Sequence, residues 1–184
     1  MKNSIAYRLA ALCLGLGAVL AGCSSLRPEP AYVPLLRDRA ALLGRSAAEV
    51  EASLGAPDRL LNVEGIGFYG YRDCGVYFDD IVFVYDRGGK RKIEGGNARA
   101  IVLDLLSPEG LMGIRRGRTK AEELSGILGK PARVAAIGQG GEVFLPFAGT
   151  YHIYPLEGDF LAFRVEGGLV RSILLVDSAF TEFH

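Results

Sequence analysis

The chain has 184 residues, with 21 Lys+Arg against 21 Asp+Glu, so its formal charge is zero. A balance this even excludes nucleic acid as a partner, because such binding rests on a basic surface that neutralises phosphates. Three cysteines and two histidines leave little material for a metal centre or a disulfide framework.

Lys2 and Arg8 open the chain, and an apolar run follows over residues 9–20, broken by Cys13 and glycines. The run is well short of the roughly 20 residues that span a bilayer, so it reads as the h-region of an export signal. Leu20-Ala21-Gly22-Cys23 then resembles the lipobox of bacterial lipoproteins. The resemblance implies cleavage before Cys23, diacylation of its thiol and acylation of the new amine. Each buried methylene contributes about 0.8 kcal/mol, and stable anchoring needs more than one chain. Ser24 after the cysteine resembles lipoproteins sorted to the outer membrane. The expected organisation is a signal peptide over 1–22 and a flexible tether over 23–36. Removing the signal leaves 162 residues with 19 basic and 21 acidic side chains, a net charge of −2. Cys74 is then the one remaining thiol. It reads as a small apolar core residue, since Asp73 beside it disfavours a thiolate.

Downstream, one pattern occurs twice. Gly44-Arg45-Ser46-Ala47-Ala48-Glu49-Val50 leads to Leu54-Gly55-Ala56-Pro57, and Gly117-Arg118-Thr119-Lys120-Ala121-Glu122-Glu123 leads to Leu128-Gly129-Lys130-Pro131. The offset is 73 residues at the start and 74 at the Gly-x-Pro, which places one extra residue in the second helix. It returns to 73 where Arg99-Ala100-Ile101-Val102 meets Ser172-Ile173-Leu174-Leu175. A period of this kind signals duplication. Ser46 with Glu49, and Thr119 with Glu122, have the spacing of capping boxes. Ala47, Val50 and Leu54 form one apolar stripe, and Ala121, Leu124 and Leu128 another. Gly55 and Gly129 are expected as left-handed C′ residues, with Pro57 and Pro131 preventing the helix from resuming.

β-Branched and aromatic residues after each stop predict strands near 60–63, 67–72, 76–85 and 98–105. In the second copy they fall near 132–137, 142–145, 150–154, 160–165 and 169–176. Glu166-Gly167-Gly168 reads as a tight hairpin turn, whereas the corresponding turn of the first copy is longer, from about Asp86 to Asn97. The predicted class is therefore α+β: two tandem units over 37–108 and 109–184, each with short helices followed by an antiparallel sheet packed against them.

The Gly-x-[Ser/Thr]-x-x-Glu helix, the Leu-Gly-x-Pro stop and the closing hairpin resemble the SmpA/OmlA (BamE) outer-membrane lipoproteins. Through the tandem arrangement they are also similar to the β-lactamase-inhibitor-protein fold. The matching residues are Gly44, Ser46, Glu49, Val50, Leu54, Gly55, Pro57, Tyr69 and Tyr71, then Gly117, Thr119, Glu122, Leu128, Gly129, Pro131, Phe163 and Ile173. This resemblance implies a lipid-anchored, non-catalytic binding or scaffold module in outer-membrane assembly or integrity. Its location would be the periplasmic face of the outer membrane.

Reactive constellations are scarce. His152 falls in a strand-like alternation without metal-ligand spacing, no Gly-x-Ser-x-Gly elbow occurs, and Asp79-Asp80 reads as a solvated turn or bulge. No catalytic residue, metal or cofactor is expected. The candidate binding residues are the tyrosines Tyr69, Tyr71, Tyr85, Tyr151 and Tyr154, on a sheet face left open by the helices, and the basic run Lys90, Arg91 and Lys92 at a hairpin tip. The expected partners are the membrane, through lipid on Cys23, and an envelope or outer-membrane protein. An envelope enzyme acting on cell-wall or lipid substrates, or an inhibitor of an envelope hydrolase, are the alternatives.

Overall fold

The computed structural model describes residues 28–63, 66–79, 81–85, 87–89, 91–103, 111–137 and 149–179. The chain divides into Met1–Pro30 and Ala31–His184, and the fold lies in the second unit. The signal segment and Cys23 lie outside the described residues, as does the strand expected near 142–145.

Helix α1 (Val33–Ala40) starts inside the stretch read as tether. Pro34 in its first turn costs no intrahelical bond, and Val33, Leu36 and Ala40 are buried beneath it. Helix α2 (Ala47–Leu54) is capped as its sequence predicts: Glu49 Oε2 accepts from the Ser46 N–H at 2.9 Å while Ser46 Oγ accepts from the Glu49 N–H at 3.4 Å. The strands that follow are β1 (Arg59–Val63), β2 (Ile66–Gly70), β3 (Gly75–Phe78), β4 (Ile81–Tyr85), β5 (Arg91–Gly95) and β6 (Ala98–Val102). Helix α3 (Ala121–Leu128) then precedes β7 (Arg133–Ile137), β8 (Gly149–Leu156), β9 (Asp159–Glu166) and β10 (Leu169–Val176).

The α3 cap differs from its prediction. Lys120 is the N-cap, and Glu123 Oε2 accepts its N–H at 2.8 Å. Thr119 is buried instead, its hydroxyl accepting from the Arg115 N–H at 2.8 Å. Ala47 and Ala121 both open their helices, so the extra residue of the second copy falls between Gly117 and Ala121, ahead of the helix and not within it. The two helix stops share one geometry: Gly55 has φ 83°, ψ −175° and Gly129 φ 85°, ψ −176°. Their φ is positive as expected, but ψ is extended, a region essentially reserved for glycine. Gly167 and Gly168, with φ of 59° and 75°, make the β9–β10 turn.

The sheet overturns the expected class. Eight strands form one continuous antiparallel sheet in the order β1-β2-β3-β6-β10-β9-β8-β7, and β4 and β5 form a separate hairpin. With three helices among the described residues, the fold is mainly β, in place of two tandem units that each close a sheet against their own helices. The physical reason lies at β6–β10, where Leu174↔Val102, Leu175↔Ile101 and Val176↔Ala100 pair antiparallel. The strand edges that separate units would leave open are joined to each other. Neither half has a private core: Val50, Tyr69 and Phe78 share one buried cluster with Leu124, Tyr154 and Phe163.

Each sheet face carries a buried apolar cluster. The helices cover the first, which carries Tyr69, Tyr71, Phe78, Ile101, Tyr154, Phe163 and Leu175. Tyr77, Ala100, Val102, Tyr151, Ile153, Ala162 and Leu174 form a second cluster on the opposite face. Helix α1 ties the halves at the turns. Arg39 pairs with Asp73 in the β2–β3 turn, Arg37 with Glu157 in the β8–β9 turn at 2.8 Å, and the Tyr32 hydroxyl donates to Pro155 O at 2.8 Å.

Candidate functional site

Four of the five tyrosines expected to form a recognition face are inside the protein. Tyr69 and Tyr154 are 1% exposed, Tyr151 is fully buried and Tyr71 is 8% exposed. Their rings pack edge to face, Tyr69 against Tyr71 and Phe78, Tyr154 against Tyr32 and Phe163. Burial raises all four phenols, Tyr151 to about 12. Area that would serve an interface serves the core instead. Tyr85 is the exception, 66% exposed near the end of β4. Lys92 is exposed on β5, only the backbone of Arg91 is described, and Lys90 lies outside the described residues.

The hairpin carrying Tyr85 and Lys92 has a defined seat. Ile93 is buried, and its N–H donates to the Tyr69 hydroxyl at 3.4 Å. Beneath the hairpin lies Gly67 of β2. A Cβ there would stand 2.6 Å from Ile93 Cδ1 and 3.0 Å from Ile81 Cδ1, so the missing side chain is what lets the hairpin approach the sheet. β5 also runs beside α2. The outward face pairs Val82 with Glu94 and Val84 with Lys92, and Val82 is 60% exposed. Toward the tip follow Arg87, Gly88 and Gly89, all exposed. The hairpin is thus aromatic and basic at its tip, with its acidic Glu94 nearer the base. In the second half the corresponding connection is the two-glycine turn after Glu166, so at this place in the repeat the two halves differ.

The remaining candidates for chemistry have structural employment. Asp79 is no solvated turn residue: it pairs with Arg99 Nε and accepts from the Asn97 N–H at 2.9 Å. Arg99 also reaches Asp177 Oδ2 at 2.7 Å, so one guanidinium joins β3, β6 and the end of β10. Asp80 lies outside the described residues. Cys74 is fully buried, and burial followed by the neighbouring Asp73 pushes its thiol up to about 11, away from the reactive thiolate. His152 Nδ1 is buried without a hydrogen-bond partner among the described residues, and burial lowers its pKa. No three metal-ligating side chains gather among the described residues.

An open cleft of about 620 Å³ separates α1 from α2. Its polar walls are Asp38, Arg39, Arg45 and Glu49, with Leu42 and Leu54 beneath. Arg39 is held by Asp73 and Arg45 by Glu49. Besides those of the hairpin, large exposed apolar side chains stand on the helices, Leu35 on α1 at 62% and Ile127 on α3 at 36%, and on the two edge strands, Leu61 on β1 at 49% and Val134 on β7 at 54%. Sequence reasoning singled out neither Leu61 nor Val134, because an edge strand reads like any other until the strand order is known.

No family model matches the chain, and no curated protein matches it. Two solved structures are similar. One is a DUF4309 family protein, YjgB, from Bacillus subtilis, at 18% identity over 72% of this chain and 78% of that one, with a TM-score of 0.45. The other is an extracellular protein containing an SCP domain from Bacillus anthracis. It shows 9% identity over 78% of this chain and a TM-score of 0.44, and the match spans 46% of its length.

Proposed function

We propose that the chain is a lipid-anchored envelope lipoprotein that acts as a non-catalytic scaffold, docking an envelope protein while lipid on Cys23 holds it to the outer membrane. The observation that carries this reading is that β1 and β7 have no second strand partner among the described residues and carry the exposed side chains Leu61 and Val134. An edge strand offers unpaired backbone groups to an incoming strand, and alternate side chains such as these supply its specificity. The polar side chains that would serve catalysis support the same reading: Asp79 is bound to Arg99, the Cys74 thiol is held protonated, and the Nδ1 of His152 is buried.

Photo-crosslinkers placed at Val134 and Leu61 in the native membrane test the proposal. One recurrent protein partner, captured from these edges and lost when Val134 is replaced by Lys, is the expected result. Crosslinks to lipid alone, or the same proteins captured from every surface position, would sink it. Incorporation of labelled palmitate, abolished by Cys23→Ser, tests the anchor separately.

A further inference from the structure

The β4–β5 hairpin has features that neither strand pairing nor core formation requires. It projects from a sheet whose second half manages the same connection with two glycines, and it is seated by Ile93 and Ile81 over Gly67, which leaves its tip outside the fold. At that tip Tyr85 is 66% exposed, and Arg87 and Lys92 are exposed beside it. Over residues 86–92 the sequence Asp-Arg-Gly-Gly-Lys-Arg-Lys carries four basic side chains against one acidic. The rest of the mature chain carries 15 basic against 20 acidic side chains, so this positive concentration is local.

We propose that the hairpin tip is a second membrane contact, one that docks on anionic phospholipid headgroups. The inference rests on the lipid-anchored reading, which brings the fold to a bilayer surface. Lys and Arg are drawn electrostatically to an anionic leaflet, and tyrosine suits the interface because its ring is apolar and its hydroxyl is wet. The polarity along the hairpin sets the approach: the basic tip leads, and Glu94 stays toward the base, away from the headgroups.

The test uses the mature chain, residues 23–184 with Cys23→Ser, which takes no lipid, carries no signal and keeps Cys74 as its one thiol, floated with vesicles of phosphatidylcholine alone or of phosphatidylcholine mixed equally with phosphatidylglycerol. Binding to the mixed vesicles only, lost as salt rises, is expected. Arg87→Glu with Lys92→Glu should weaken it by about tenfold or more, and Tyr85→Ser should weaken it with the salt dependence retained. Arg115→Glu with Arg118→Glu, on the other basic cluster, should leave it unchanged. Protection of the Cys74 thiol from a maleimide shows that each variant is folded. The proposal is overturned by equal binding to neutral vesicles, by no binding to the mixed ones, or by a loss that follows Arg115 and Arg118 in place of the hairpin. Because the tested chain lacks lipid, none of these results depends on whether Cys23 is acylated in the cell.

Discussion

Gly129 ends α3 with φ 85° and ψ −176°, and an added Cβ would meet nothing within 4 Å. Substitution there is a backbone question alone. Gly129→Ala should cost about 1–3 kcal/mol through strain, read as a lower urea midpoint at unchanged slope; an unaltered midpoint would mean that the chain relaxes to ordinary φ. His152 gives the stability of the fold a pH dependence. Burial depresses its folded pKa, so the folded state binds fewer protons than the unfolded one. Its contribution is fully present above the unfolded value of about 6.5 and is lost as pH falls through the lower folded value. Parent and His152→Gln chains, melted between neutral and mildly acidic pH, should diverge, the parent losing more stability on acidification. Parallel curves would remove His152 from the account.

The hairpin is the element whose position depends most on a single absence. Gly67→Val would drive a side chain into Ile93 Cδ1 and Ile81 Cδ1, the groups that seat it. Overpacking of this sort costs about 1–3 kcal/mol, and here the simplest escape is for the hairpin to lift away. Trypsin cleavage after Arg87 should then quicken while the Cys74 thiol stays protected. Cleavage at the parental rate would show that the two isoleucines repack in place. The α3 cap teaches a related lesson. Thr119 and Glu122 have the spacing of a capping box, yet one inserted residue hands the role to Lys120 and Glu123 and sends Thr119 inward.

For the whole molecule, the join between the halves is the decisive structure. Three residue pairs link β6 to β10, and Arg99 reinforces the seam by holding Asp79 from the first half and Asp177 from the second. Arg99→Met would leave two partly buried carboxylates without their shared cation. The expected loss is about 2–3 kcal/mol, below the range for a fully buried pair because these groups keep some contact with water. Denaturant unfolding should remain a single transition at a lower midpoint, since neither half has a core of its own. Two separated transitions would instead mean that the halves fold independently.

Short-range chemistry was readable from the residues: the Ser46–Glu49 cap, the glycine stops at Gly55 and Gly129, and the turn at Gly167-Gly168. Each depends on backbone conformation and on partners within a few positions, so local spacing suffices. Strand locations were largely readable as well, although 76–85 proved to be two strands belonging to different sheets, and β5 passed as part of a turn. The strand order, the shared core, the inward aromatic rings and the partners of Asp79 were settled by tertiary structure. A strand's alternation shows that it has two faces; it does not say which edge it pairs through or what lies over either face. Those depend on residues from dozens of positions to more than a hundred away, as Arg99 with Asp177 and Tyr32 with Pro155 illustrate.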